Sequence, residues 1–278
     1  MKIGNRSFDT DNHTYIMGIL NITPDSFSDG GQWNDKKAAK KRIEVMIAEG
    51  MDILDIGGES TRPGYEMLSE EEEIARILPI IEIAKQQFDI PISVDTYKSK
   101  VAKAAITAGA DLINDIWGLK YDDQMAEVIA AAGVSCCLMH NRVQAQYQDF
   151  MQEVRTDLEV TLERAKAAGI SSDNIILDPG VGFAKSYEQN LEVIRRMEEL
   201  QNLGYPLLLG ISRKSVVGLT LDLPTEQRIE GTLATTVIGM IKGAAFVRVH
   251  DIKENVRVIQ MTEAILGNGN LGRGRHNG

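Results

Sequence analysis

Two sets of polar residues in this chain carry opposite chemistry. Asp95, Asn114 and Asp178 are two carboxylates and an amide, each closing a short apolar run. Together they offer acceptors, and one amide donor, to a ligand rich in N–H groups such as an aminopyrimidine ring. Taken singly, each is equally well explained by a structural salt bridge. The second set is cationic. GISRKSVVG, residues 210–218, ends one apolar run and opens a helical pattern. Ser212, Arg213, Lys214 and Ser215 therefore lie where phosphate or carboxylate favours free backbone N–H groups. FVRVHD, residues 246–251, puts Arg248 and His250 on one strand face by period-two alternation, a pair suited to an anion. A lone strand arginine is more often a structural ion pair, but the neighbouring Lys214 tips the balance toward anion binding. Asn21, Glu59 and His140 close three further runs. These ends lack the spacing of a protein-built metal cage, which leaves a metal shared between one side chain and a substrate phosphate.

Residues so far apart can meet only if the elements carrying them share one end. Apolar runs at 15–22, 51–56, 92–95, 111–116, 134–140, 175–178, 207–211 and 245–250 suit parallel strands covered by helices. Helical patterns alternate with them at 35–49, 69–87, 98–108, 122–132, 149–168, 186–203, 225–242 and 252–266. Gly50, Gly109, Gly133, Gly169, Gly204 and Gly243 fall just past six of those helices, as left-handed caps do. Pro79 is expected to kink or split the second helix. Strand then helix, eight times, predicts a single (β/α)₈ TIM barrel over residues 1–278; a doubly wound open sheet is the alternative. In the barrel all eight strand ends converge on one mouth. Residues 1–14 are expected to form a small hairpin closing the bottom, and 267–278 to be a disordered tail.

The 278 residues fit one such barrel, about 250 residues in the usual case. A net charge of −10 argues against nucleic-acid binding, though a few local cations can still dominate one cleft. The opening residues carry no apolar leader and no run is long enough for a membrane span, so a cytoplasmic protein is expected. Cys136 and Cys137 are adjacent in a strand pattern; they point to opposite faces and read as two buried, reduced thiols.

Two loops after strands, NITPDSFSDGG (21–31) and GGESTRPG (57–64), are richer in charge and glycine than turn chemistry requires. With SVDTYKSKVAKAAITAGADLINDI, LDPGVGF, GISRKS and RVHD they resemble, in order, the signature segments of the dihydropteroate synthase family, over about residues 15–261. The resemblance implies a (β/α)₈ barrel, a homodimer, and condensation of 6-hydroxymethyl-7,8-dihydropterin diphosphate with 4-aminobenzoate, the step that sulfonamides target. It places Asp95, Asn114, Asp178 and Lys214 on the pterin edge, with Met139, Phe183 and Arg248 lining its faces. Asn21, Thr61, Arg248 and His250 resemble the diphosphate site, Asn21 also holding Mg²⁺. Ser215 resembles the group that receives the aminobenzoate carboxylate. Asp25, Phe27, Arg62 and Pro63 sit in the two loops that order over the site, Phe27, Arg62 and Pro63 toward aminobenzoate. Catalytic roles fall to Lys214, Arg248, His250, Asp25 and Arg62. The chain departs from the family at MHNRVQAQYQDF after the fifth strand, and at Ala184, where many members have glycine and no consequence is expected.

Three other functions compete. The methyltetrahydrofolate-binding barrel of corrinoid methyltransferases needs no diphosphate site, so STRPG, SRKS and RVHD count against it. A non-catalytic pterin-binding module gains nothing from the charges of the two loops. An aldolase-type barrel wants a Schiff-base lysine in a dry strand, and Lys214 follows a polar Ser–Arg pair instead.

Overall fold

The computed structural model describes residues 1–22, 32–59 and 67–267. A short antiparallel pair, β1 (Lys2–Ile3) and β2 (Arg6–Ser7), opens the chain. Eight parallel strands follow among the described residues: β3 (Tyr15–Asn21), β4 (Ile53–Gly57), β5 (Ile92–Asp95), β6 (Leu112–Asp115), β7 (Ser135–Met139), β8 (Ile175–Asp178), β9 (Leu207–Leu209) and β10 (Ala244–Val249). They pair in sequence order, and β10 closes on β3, so the sheet is a barrel and the open-sheet alternative is excluded.

Period-two alternation sorts each strand between two cores. On β4, Leu54 and Ile56 pack outward among the helices while Ile53 points into the barrel. The cysteines divide the same way, Cys136 outward and Cys137 inward, both buried and unbridged as expected. At the amino end of the strands, Ile3 and Phe8 from the opening segment pack with Met17, Ile53 and Phe246. Above this apolar cluster the interior turns polar, with Asp55, Ser93 and Arg248, and the site lies on top of it.

The helices between the strands are α1 (Gln32–Ala48), α2 (Glu70–Gln87), α3 (Ser99–Ala108), α4 (Met125–Ala132), α5 (Phe150–Ala168), α6 (Tyr187–Arg195), α7 (Ser215–Leu221), α8 (Ile229–Ile241) and α9 (Ile252–Leu266). Ser69 and Glu72 form a capping box at the start of α2, and Ser186 and Gln189 do so for α6, each satisfying two orphan donors. The six glycines expected past helix ends all have left-handed φ, from +66° at Gly133 to +112° at Gly109.

Three expectations need correction. Of the two outcomes expected at Pro79, a kink or a split, the split does not occur: α2 runs unbroken through it, with Ile77, Ile80, Ile81 and Ala84 burying one face, and that packing outweighs one missing hydrogen bond. The pattern at 186–203 is two pieces, α6 and a 3₁₀ segment at Met197–Leu203. The pattern at 225–242 begins with a 3₁₀ turn, and the segment before it is a helix in its own right, α7, ended by a left-handed Asp222. Gly267 caps α9; the expected tail beyond it lies outside the described residues.

Candidate active site

Strand register assembles the polar ring. Asn21 pairs with Gly57, Gly57 with Asp95, and Asp95 with Asn114, so three predicted site residues share one continuous rung across four strands. Met139 pairs with Asp178 on β7 and β8. Above them opens a cavity of about 270 Å³ at the carboxyl ends of the strands. Asn21, Asn114, Met139, Asp178 and Phe183 line it together with Lys214, Ser215, Arg248 and His250. Asn114 and Asp178 of the acceptor set and Lys214, Arg248 and His250 of the cationic set therefore face one space.

Arg248 crosses the barrel interior to two carboxylates. Its Nε donates to Asp55 Oδ2 at 2.6 Å and its Nη2 to Asp95 Oδ2 at 2.6 Å. Burial disfavours its charge, and Asp55 and Asp95 more than offset that, so the guanidinium stays protonated. Asp95 lies just beneath the cavity rather than on its wall; burial pushes its carboxyl up while Arg248 pulls it back. Its second oxygen, Oδ1, is buried and has no hydrogen-bond partner. Among the described residues it is the only buried side-chain polar atom left so.

Asp178 accepts from the Gly180 N–H at 2.7 Å, and burial raises its carboxyl above the usual range, with Lys214 opposing. Lys214 donates to the Val181 carbonyl and sits 4.6 Å from the centre of the Phe183 ring, a cation–π distance. Burial lowers its ammonium to about 8, with Asp178 pulling upward. His250 Nδ1 lies 3.0 Å from Ser212 Oγ, which also accepts from the His250 backbone N–H at 3.2 Å. Asp95, Asp178, Lys214 and Arg248 are each held at a cost by burial, an arrangement typical of sites that await a ligand's counter-charges and N–H groups.

Some sequence candidates land elsewhere. Glu59 bonds Tyr97 and the Lys98 ammonium, the latter at 2.6 Å, and does not line the cavity. His140 is fully buried behind the cavity wall, between Asp157 and Lys185. Arg213, expected to meet an anion, does line the cavity, but its guanidinium is taken by the Asp251 carboxylate in a two-point pair, from a left-handed backbone at φ +58°. Asp25, Phe27, Thr61, Arg62 and Pro63 lie outside the described residues. Sequence reading missed Asp55, whose signal was a lone charge on the inward face of an apolar strand, ILDIG. It also missed Lys185, at the end of a glycine-rich loop, and Arg228, which lines the cavity from the segment before α8. Ala184 is not neutral: its φ is +44°, a left-handed setting that alanine adopts at a cost.

Residues 17–250 match the family described as pterin binding enzyme. The dihydropteroate synthase of Clostridium beijerinckii is 59% identical over 267 residues, 96% of this chain and 99% of that one. The chain belongs to the pterin binding enzyme family, among the dihydropteroate synthases. A crystal structure of the Clostridium difficile dihydropteroate synthase in the presence of pteroic acid superposes with a TM-score of 0.91 at 49% identity, covering 93% of this chain and 99% of that one. The Yersinia pestis dihydropteroate synthase, in complex with a sulfonamide drug, gives 0.89 at 39% identity, covering 97% and 99%. Membership removes the aldolase and corrinoid methyltransferase alternatives and makes the chain a transferase of this type.

Proposed function

We propose that this protein joins (7,8-dihydropterin-6-yl)methyl diphosphate to 4-aminobenzoate, releasing diphosphate and 7,8-dihydropteroate for tetrahydrofolate synthesis. The observation that carries the reading is Asp95 Oδ1, a buried acceptor without a donor, one rung position from Asn114. Leaving such an atom unpaired costs about 1–3 kcal/mol, and an aminopyrimidine N–H removes that cost. Asp178, with one oxygen already on Gly180 N–H, presents further acceptor capacity to the same ring. Met139 and Phe183 line the cavity as flat and flexible apolar surfaces for the ring's faces.

The chemistry needs charge placement more than proton transfer. The exocyclic carbon–oxygen bond breaks as diphosphate leaves, and the electron-rich pterin holds the resulting positive charge. Lys214, Arg248 and His250 all line the cavity, which supports giving them the stabilisation of the departing anion. The aromatic amine then forms the carbon–nitrogen bond and loses one proton; being nucleophilic already, it needs only placement, with Ser215 toward its carboxylate. Asp25, Thr61, Arg62, Phe27 and Pro63 complete this assignment from the two loops. The sulfonamide complex of the Yersinia relative supports an aminobenzoate-shaped second site.

Magnesium belongs to the same proposal. Among the described residues no three His, Cys, Asp or Glu side chains converge to hold a metal. That donor set fits Mg²⁺ only as an ion taking one oxygen from Asn21 and the rest from phosphate and water. When bound there it would neutralise diphosphate charge.

A homodimer in the cytoplasm completes the reading. Leu219 and Leu221 on α7, Ile238 and Ile241 on α8, and Met261, Ile265 and Leu266 on α9 are exposed, more apolar surface than a monomer needs on neighbouring helices. Among the described residues no helix is long and apolar enough to cross a membrane. The test of function is diphosphate release that requires both substrates. Release that ignores aminobenzoate, or none at all, would rule the assignment out.

A further inference from the structure

Behind the cavity wall, Lys185 sits in a nest of three acceptors. Its Nζ lies 2.8 Å from His140 Nδ1, 3.0 Å from the Gly180 carbonyl oxygen and 3.1 Å from the Phe183 carbonyl oxygen. His140 is fully buried, and its Nε2 lies 3.0 Å from Asp157 Oδ2. Asp157 also accepts from the guanidinium of Arg142, whose remaining N–H groups reach Glu153 and the Gln146 carbonyl. Arg142 lies over the Tyr147 ring, and the Tyr147 hydroxyl donates to the Ala184 carbonyl at 2.8 Å. Lys185, His140 and Asp157 do not line the cavity, so none of them is placed to touch a substrate.

Proton inventory fixes the direction of these bonds. Burial works against the charge of Asp157, but bonds from His140 and Arg142 hold its carboxyl well below the usual range. A carboxylate only accepts, so the His140 proton is on Nε2. Burial keeps His140 neutral, near 4 despite Asp157, which leaves a lone pair on Nδ1. Lys185 must therefore donate to it. An ammonium has three hydrogens for the three acceptors, whereas a neutral amine has two. Burial pulls this ammonium down to about 7; Asp178 pulls it back up, and Lys214 and Lys120 add to the fall.

The consequence lies on the other side of the loop. Phe183 presents its ring to the cavity and to Lys214 in front, while its carbonyl is held from behind by Lys185. We propose that Lys185 is a positioning residue for pterin binding: its ammonium, braced by His140 as the Nε2–H tautomer and by Asp157, sets the Gly180–Lys185 loop so that Phe183 meets the pterin face. This rests on the reading of the cavity as a pterin site. It gives the chain's departure after β7 a role, because Arg142 and Tyr147 belong to that segment and brace the same loop.

The first measurement is the ¹⁵N spectrum of histidine-labelled protein, with His140 assigned by His140→Gln. A neutral Nε2–H ring that keeps its tautomer from about pH 5.5 to about pH 8 is expected. An Nδ1–H ring, or an imidazolium in that range, overturns the proposal. The second is calorimetry with 6-hydroxymethylpterin and steady-state kinetics on Lys185→Met and Asp157→Asn. Lys185→Met should weaken the pterin about tenfold or more and raise KM for the pterin diphosphate, while kcat changes less than about twofold. KM for aminobenzoate should not move. Asp157→Asn should follow in the same direction with a smaller effect. Wild-type protein that fails to bind the pterin overturns the functional reading and this one with it. Wild-type binding with equal binding by both variants overturns the positioning role alone. If Lys185→Met does not fold, the wild-type tautomer and Asp157→Asn still decide.

Discussion

Asp178 and His140 show how differently two buried residues at adjacent strand ends answer to a change. Asp178 faces the cavity with spare acceptor capacity. Asp178→Asn puts an amide donor where ring N–H groups are expected, and pterin affinity should fall by about 2–4 kcal/mol. Calorimetry showing no change would remove Asp178 from the site. His140 instead governs stability. Burial holds it near 4 in the folded protein, below the roughly 6.5 of an unfolded histidine. Between those values the unfolded chain binds a proton that the folded one does not, so stability is lost as pH falls from about 6.5 through about 4. Asp157, held low in the fold, acts in the same sense. The His140 share is of the order of 3 kcal/mol. Urea unfolding at about pH 7 and about pH 4.5 should show this loss, and His140→Gln should flatten it; an equal slope in the variant would deny His140 that role.

At the level of elements, the loop after β8 concentrates backbone constraint. Gly180 has φ +71°, and a Cβ there would lie 2.0 Å from the His140 carbonyl oxygen, a backbone atom with little freedom to move. Gly180→Ala should therefore cost at least about 3 kcal/mol. Four residues on, Ala184 already occupies a left-handed setting. Relieving it is worth about 1–2 kcal/mol, and the added freedom of an unfolded glycine takes back about 0.4–1. Ala184→Gly should raise stability by roughly 0.5–1 kcal/mol, seen as a higher melting temperature; a lower one would mean that the loop does not hold its φ in solution. The same loop marks what sequence can and cannot supply. Strand alternation was enough to put Arg248 and His250 on the cavity side, and strand ends were enough to name Asn21, Asn114 and Asp178. The pairing of Arg248 with Asp55 was not legible, because Asp55 lies on β4, separated from β10 by β3. Barrel closure makes that contact, and no local pattern encodes it. Lys185 escaped for a similar reason, since its partners are His140, just after β7, and the backbone of its own loop. The split expected at Pro79 did not occur, because the buried face of α2 outweighs local propensity.

Across the whole molecule the polar mouth and the apolar flank are separate, and that separation can be tested. The cavity residues described come from one chain, at the carboxyl ends of the strands. The exposed apolar residues lie on α7, α8 and α9; α8 contacts both its neighbours, and α8 and α9 pack against β10 and β3. Leu219, Ile241, Met261 and Ile265 are each more than half exposed. Scattered apolar residues are ordinary on a surface, but a run along three adjoining helices suits a two-fold interface, where each copy offers the same patch. A net charge of −10 works against a second copy, so apolar burial at this patch has to offset that repulsion. The wild-type protein should sediment as a dimer, and Ile241→Glu with Ile265→Glu should give a monomer, since burying two carboxylates across the two-fold axis is prohibitive. The monomer should still bind the pterin within about twofold of the wild type, because the cavity is built within one barrel. A monomeric wild-type protein, or a double variant of unchanged mass, would show that these helices cover nothing.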